Sequence, residues 1–423
     1  MTHTLSDGKA TQQQAKAHND SLVLSTIYEA DEISRAAIAR RTGQSRTSVG
    51  EAVAELLERD LVEEIGRGRP SRGKPPILLR VKADARHLIG VDLSGADLRG
   101  VVVNLQGEVR HALKLPREER GGAAALELTY QLVDRLAGEA GAPILGLGIG
   151  TPGLIDFRRG SQVHWAVNLD WLDLPLRDLL ERRYGVPVHV LNDSQAAAMG
   201  EYFFGGVHET GNLAVIKSEE GLGAGIVLEG RLLRGDHFGA GEIGHLTFTS
   251  GGRRCRCGNS GCLETVASAS AIVRTARAAD LDALVEACAA GEAAAQRAVG
   301  EAGRGLGLAV ATLIGTVNVR DVVIAGSVTR LGEPLLEAVK REVQARCLAA
   351  LARDTCIDFS PIGSDDITTL GAAAVLLHEE LGIWPFRRAA RRPYRTGDDQ
   401  RRAVRWRAAP GGLAAAAPVR WPD

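Results

Sequence analysis

Between residues 87 and 382, short apolar runs that close in a glycine turn recur along the chain: HLIGVDLSG, LRGVVVNLQG, ILGLGIGTPG, VPVHVLND, NLAVIKSEEGLGAGIVLEG and DVVIAGSV. Helical stretches such as GAAALELTYQLVDRLAGEAG separate some of them, and TTLGAAAVLLHEEL closes the series. Alternation of this kind predicts an α/β domain whose strand ends carry the ligand loops. The strand–turn pattern near 90 returns near 213, which suggests two related halves, although periodicity alone does not establish a repeat. We place this domain at 87–383.

The segment before it follows another rule. SLVLSTIYE spaces its apolar residues as a helix does, SRAAIARRTG offers Ser34 as N-cap and Gly43 as terminator, and Ser45 caps the next helix. Two helices joined by a short glycine turn, followed by two short strands around GRGRPSRGK, predict a winged helix-turn-helix over 19–82. In such a module the first turn of the second helix meets base edges, which assigns Ser45, Arg46, Thr47 and Ser48 to DNA, and the basic tip adds Arg67, Arg69, Arg72 and Lys74. The chain's formal net charge of −1 gives no global attraction to nucleic acid, so binding must rest on these local cations. Residues 1–18 are expected to be a disordered lead. Residues 384–423, with ten arginines against three aspartates, are expected to be a disordered tail. No apolar run reaches the ~18–20 residues that span a bilayer, and the polar N-terminus lacks a signal-peptide core, so a cytoplasmic protein is expected.

Three of the six cysteines fall within residues 255–262. With His245 they form H-x9-C-x-C-x4-C, a thiolate and imidazole set suited to tetrahedral Zn²⁺. In a reducing compartment such clustering favours a metal over disulfides. Gly251, Gly252, Gly258 and Gly261 let the loop turn tightly enough to gather the ligands. Four protein ligands leave no open position, so one structural zinc per chain is expected. Glu242 and Glu264 flank the array as hydrogen-bond acceptors. Cys288, Cys347 and Cys356 read as small apolar residues.

GEIGH followed by CRCGNSGCLE resembles the zinc signature of the ROK family of repressors and sugar kinases. GTPGLID, NLDWLDLPLRDLLERRYGVPVHVLNDSQAAAMGE and EGLGAGIVLEGRLLRG are similar to its other blocks, in the same order. The resemblance implies a two-lobed, actin-like or ribonuclease H-like sugar-kinase fold behind the winged module. It also implies sugar contacts at Asn168, Asn192, Asp193, Glu242, His245 and Glu264, with Asp193 at the position of the kinase general base.

The chain departs from the kinase pattern at the phosphate loops. Where those kinases carry Asp-x-Gly-Gly-Thr-Lys, this sequence has Asp92, Leu93, Ser94, Gly95, Ala96 and Asp97; Glu219 and Glu220 replace part of Gly-Thr-Gly, and a glycine pair becomes Gly326-Ser327. A carboxylate about 4 Å from a phosphate costs roughly 4 kcal/mol at an effective dielectric of 20. The sequence therefore predicts a homodimeric or homotetrameric sugar-responsive repressor with operator DNA and a monosaccharide as partners and no expected catalytic residue. A surviving ATP-dependent sugar kinase, and a regulator answering to a protein partner through a vestigial pocket, are the alternatives.

Overall fold

The computed structural model describes residues 12–68, 75–118, 120–206, 211–384 and 407–408. They divide into two compact units. The first comprises the chain up to Arg86 together with Asn104–Gln106 and Leu377–Phe386. Residues 377–383, expected in the sugar-kinase-like domain, thus group with the N-terminal module. One tie is Ser25, whose Oγ donates to the Gly382 carbonyl and accepts from the Trp384 amide at 3.0 Å.

The first helix, Gln12–Ala30, starts before the expected boundary at Asn19, so residues 12–18 are helical rather than a disordered lead. The polar stretch QQQAKA consists of good helix formers but carries no apolar stripe to announce itself. The rest of the expected lead, 1–11, lies outside the described residues, as does most of the expected tail. Helices Arg35–Thr42 and Arg46–Glu58 begin where the capping chemistry predicts. Ser34 Oγ accepts from the Ala37 amide, Gly43 closes the first helix at φ +71°, and Ser45 Oγ accepts from the Ser48 amide at 3.0 Å. Val49, Ala52, Val53 and Leu56 are buried along one face of the second helix. A three-stranded sheet in the order Ile33–Ser34, Ile77–Val81, Val62–Arg67 completes the winged helix-turn-helix.

The second unit is built on two larger sheets. One runs Val188–Asn192, Ile144–Thr151, His87–Asp92, Asp97–Asn104, Val109–Pro116, with Arg407–Ala408 at its edge. The other runs Cys356–Phe359, Asp321–Ala325, Leu213–Ser218, Leu222–Leu228, Arg231–Leu232. Leaving out the edge pair, both read 5-4-1-2-3 in chain order, so the two halves suspected from the sequence share one topology. Each sheet has its own apolar core, one drawn from residues between Ile89 and Val190, the other between Ala214 and Ile357.

Close backbone approaches fix the helices beneath the first sheet. A Cβ on Gly148 would stand 1.7 Å from the Ala372 carbonyl oxygen, and one on Gly371 would meet the Ala196 carbonyl oxygen at the same distance. Helix Ser364–Glu379 therefore lies directly against both the sheet and helix Asp193–Gly200. That contact anchors the helix whose first residue is Asp193.

Candidate functional site

The loop 246–263 turns at Gly251, Gly258 and Gly261, with φ of +69°, +96° and +75°. Gly252, expected to serve the same turn, keeps ordinary φ but lies in close contact with Gly261. Bridges pairing Thr247 with Cys262 and Arg254 with Ser260 draw the loop into a narrow tongue. It delivers His245, Cys255, Cys257 and Cys262 to one point, with ligand atoms all within 4.8 Å of one another. Cys257 Sγ lies 3.7 Å from Cys262 Sγ, and Cys255 Sγ lies 3.6 Å from His245 Nδ1. A tetrahedron with Zn–S near 2.3 Å has edges of about 3.8 Å, so the donor set and its spacing fit a metal held by four ligands. Since Nδ1 faces the thiols, Nε2 of His245 is left pointing elsewhere. It lies 3.8 Å from Glu242 Oε2.

Beside the quartet is a cavity of about 260 Å³, wholly within the second unit. Asn168, Asn192, Asp193, Glu242, His245 and Glu264, all six positions expected from the sequence, line it. Their side chains do different things. Asn192 is spent on the fold: Oδ1 caps helix Asp193–Gly200 by accepting from the Ser194 amide at 2.9 Å, and Nδ2 donates to the Gly153 carbonyl. It orients its neighbour Asp193. Asn168 Oδ1 accepts from Arg256 at 3.0 Å, so the metal loop reaches across the cavity to it. Glu264 Oε2 accepts from the Leu222 amide, tying the end of the metal loop to the neighbouring strand. Partial burial, with Asp193 and Glu264 nearby, pushes the Glu242 carboxyl up to about 7.

The other end of the cavity is organised by a residue the sequence reading missed. Lys217 follows the apolar run LAVI in the buried strand Leu213–Ser218 and is 3% exposed. Its Nζ lies 2.8 Å from Asp193 Oδ2, 2.9 Å from Ser94 Oγ and 3.6 Å from Glu219 Oε2. Burial alone would push this ammonium down, but Asp193, Glu219 and Asp92 hold it well above its usual range. Glu219 is in turn raised by its own burial, against the pull of Lys217. Ser94 Oγ also donates to Asp92 Oδ1 at 2.6 Å, so the residue that replaces a phosphate-loop glycine joins a closed polar network. A lysine directly after the apolar run LAVI of a buried strand was the available signal.

Asp97 corrects one expectation. It is not among the residues lining the cavity; its carboxylate lies 3.5 Å from Lys114 Nζ, at the start of its strand. Glu219 and Glu220, the other acidic departures from the kinase pattern, do line the cavity. In the first unit Ser45, Arg46 and Thr47 are exposed and Ser48 is half-buried at the start of the second helix. Arg67 is exposed at the end of its strand, while Arg69, Arg72 and Lys74 lie outside the described residues.

A winged helix-turn-helix followed by a duplicated two-sheet domain with a metal-loop cavity defines a family of regulators and kinases: the chain belongs to the ROK family, which residues 88–379 match. Residues 18–73 match the MarR family. A xylose repressor from Caldicellulosiruptor bescii is 30% identical over 393 residues, covering 87% of this chain and 97% of the repressor. A glucokinase from Halalkalibacterium halodurans is 34% identical over 304 residues, covering 66% of this chain and 92% of the kinase. The crystal structure of a ROK family transcriptional regulator, a homologue of the Escherichia coli MLC protein, superposes with a TM-score of 0.73 at 26% identity, covering 87% of this chain and 99% of that one. The repressor-like match takes in the winged module, whereas the glucokinase match extends over a smaller share of the chain. Among the described residues no helix is long and apolar enough to cross a membrane.

Proposed function

We propose that the chain is a sugar-responsive transcriptional repressor whose cavity binds a monosaccharide and does not transfer phosphate. One observation carries this reading: Lys217 sits on Asp193 at 2.8 Å, with Ser94 and Glu219 around it. A general base must accept the proton of the hydroxyl it activates. Asp193 Oδ2 is instead taken up by the Lys217 ammonium, so that oxygen is not free to receive a hydroxyl proton. Glu219 and Glu220 add negative charge where a polyphosphate would approach, and the sugar-facing acceptors Glu242 and Glu264 are retained. The relatives support the regulator reading, since the match to a xylose repressor spans nearly its whole length.

Zn²⁺ is the metal that His245, Cys255, Cys257 and Cys262 suit. It would fix the imidazole ring and the tongue between Glu242 and Glu264, so that those carboxylates accept hydrogen bonds from adjacent sugar hydroxyls. Asp193 and Asn168 complete the set, with Asn192 holding Asp193 in place. A response to sugar requires that the sugar bind two DNA-affinity states differently. In a homo-oligomer, paired modules must match half-sites about 34 Å apart, or a multiple of that spacing.

The deciding experiment is an ADP-coupled assay with ATP and a panel of hexoses and pentoses. Background rates are expected throughout, and turnover near 1–10³ s⁻¹, the ordinary range for enzymes, would overturn the regulator reading. On the DNA side, Arg46→Ala should weaken specific operator binding by about 10-fold or more while changing non-specific binding little. Salt-dependent titrations on operator and random duplexes measure both. Equal losses on the two duplexes would make Arg46 a phosphate contact.

A further inference from the structure

The cavity also has an apolar side that its hydroxyl acceptors do not use. Trp165 lines it and is 46% exposed. The indole belongs to a rigid surface: strand Gln162–Ala166 is the middle of a three-stranded sheet in which Trp165 pairs with Leu154 on one side and Leu172 on the other. Directly opposed residues of antiparallel strands share a face, so Leu154, Trp165 and Leu172 form one apolar row, and Leu154 lines the cavity as well.

The position of this strand is built in. Gly153 has φ +92°, and a Cβ there would stand 1.9 Å from the Trp165 carbonyl oxygen. The Gly153 carbonyl accepts from Asn192 Nδ2 at 3.1 Å. The backbone that carries Trp165 is therefore braced against the residue preceding Asp193. Trp171 behaves differently: it is 4% exposed and donates its Nε1 proton to the Gly122 carbonyl. The Trp165 indole has no hydrogen-bond or ring partner among the described residues.

A sugar ring offers hydroxyls at its edge and C–H groups on its faces. An exposed indole at the rim of a cavity lined with carboxylates and an imidazole complements both, since aromatic faces pack against apolar C–H surface while the polar groups fix orientation. We propose that Trp165 is a further effector-binding residue, a stacking platform for the C–H face of an uncharged pyranose whose hydroxyl edge meets Glu242, Glu264 and His245. This assignment rests on the sugar-site reading above.

The test is calorimetric titration of the full-length, zinc-loaded protein with D-xylose, D-glucose and N-acetyl-D-glucosamine, using the parent chain, Trp165→Ala, Trp165→Phe and Glu242→Gln. For the sugar the parent binds, Trp165→Ala should raise Kd about tenfold and Trp165→Phe much less, with the melting temperature and sedimentation of both unchanged. In 5-fluorotryptophan-labelled protein, the ¹⁹F resonance missing from Trp165→Phe should be the one that shifts with sugar. A Trp165→Ala variant with the parent's Kd would overturn the platform, and loss of binding in Glu242→Gln would show that the sugar site itself survives. Altered sedimentation with unchanged Kd would likewise overturn it, by assigning Trp165 to a contact between copies. Absence of binding by the parent would overturn both readings.

Discussion

Replacing Lys217 with methionine should destabilise the second unit by about 3–5 kcal/mol, the usual consequence of removing one partner from a buried charge network. Methionine roughly preserves the volume but leaves Asp193, Glu219 and Asp92 near one another without their shared cation. The variant should also acquire a pH dependence whose sign is fixed. Glu219, already raised by burial against the pull of Lys217, would rise further without that cation, so the folded state would bind its proton more tightly than the unfolded and stability would fall as pH rises through its folded pKa. The deficit should therefore shrink on acidification. Urea unfolding of parent and variant at several pH values measures both effects. Lys217→Met combined with Asp193→Asn should recover part of the loss, because the network then loses a carboxylate with the cation. A single variant within 1 kcal/mol of the parent at every pH would mean that water, rather than Lys217, satisfies these carboxylates.

Lys217 also marks where the sequence stopped being informative. The helix boundaries at Ser34, Gly43 and Ser45 were legible because capping is decided within three or four residues. The metal quartet was legible for a related reason, since its ligands and glycine turns all lie between His245 and Cys262. The Lys217 network instead draws on residues 92, 94, 193, 217 and 219, at or just beyond the strand ends of both large sheets. Nothing local predicts that convergence. Asp97 shows the opposite error: its place beside a phosphate-loop motif said which residue stood there, but not that its side chain would pair with Lys114. The shared topology of the halves followed the same logic. It is a property of strand pairing across long separations, visible only once both sheets could be ordered.

The metal quartet carries the other large expectation. Protein purified without chelators should hold about one zinc per chain by elemental analysis, and Cys262→Ser should lower metal affinity by more than the 10–100-fold typical of losing an outer-shell partner. Cys262 is fully buried and Cys255 nearly so, and both lie on a tongue whose backbone bonds, such as Cys255 N–H to the Asn259 carbonyl and Gly261 N–H to the Arg253 carbonyl, close its turns without joining the side chains of the quartet. Without the ion, the tongue loses the cross-link that sets the spacing of Glu242 and Glu264, so the variant should lose sugar binding while the winged helix-turn-helix keeps its DNA contacts. Thiol titration separates metal from mere burial. In the loaded protein the exposed Cys356 should react promptly, and a strong chelator should release Cys255, Cys257 and Cys262 together, because a thiolate bound to zinc is shielded and the three share one ion. Thiols that react alike with and without chelator, in protein carrying no stoichiometric metal, would refute the metal brace and leave Glu242 and Glu264 positioned by the hydrogen bonds of the loop alone.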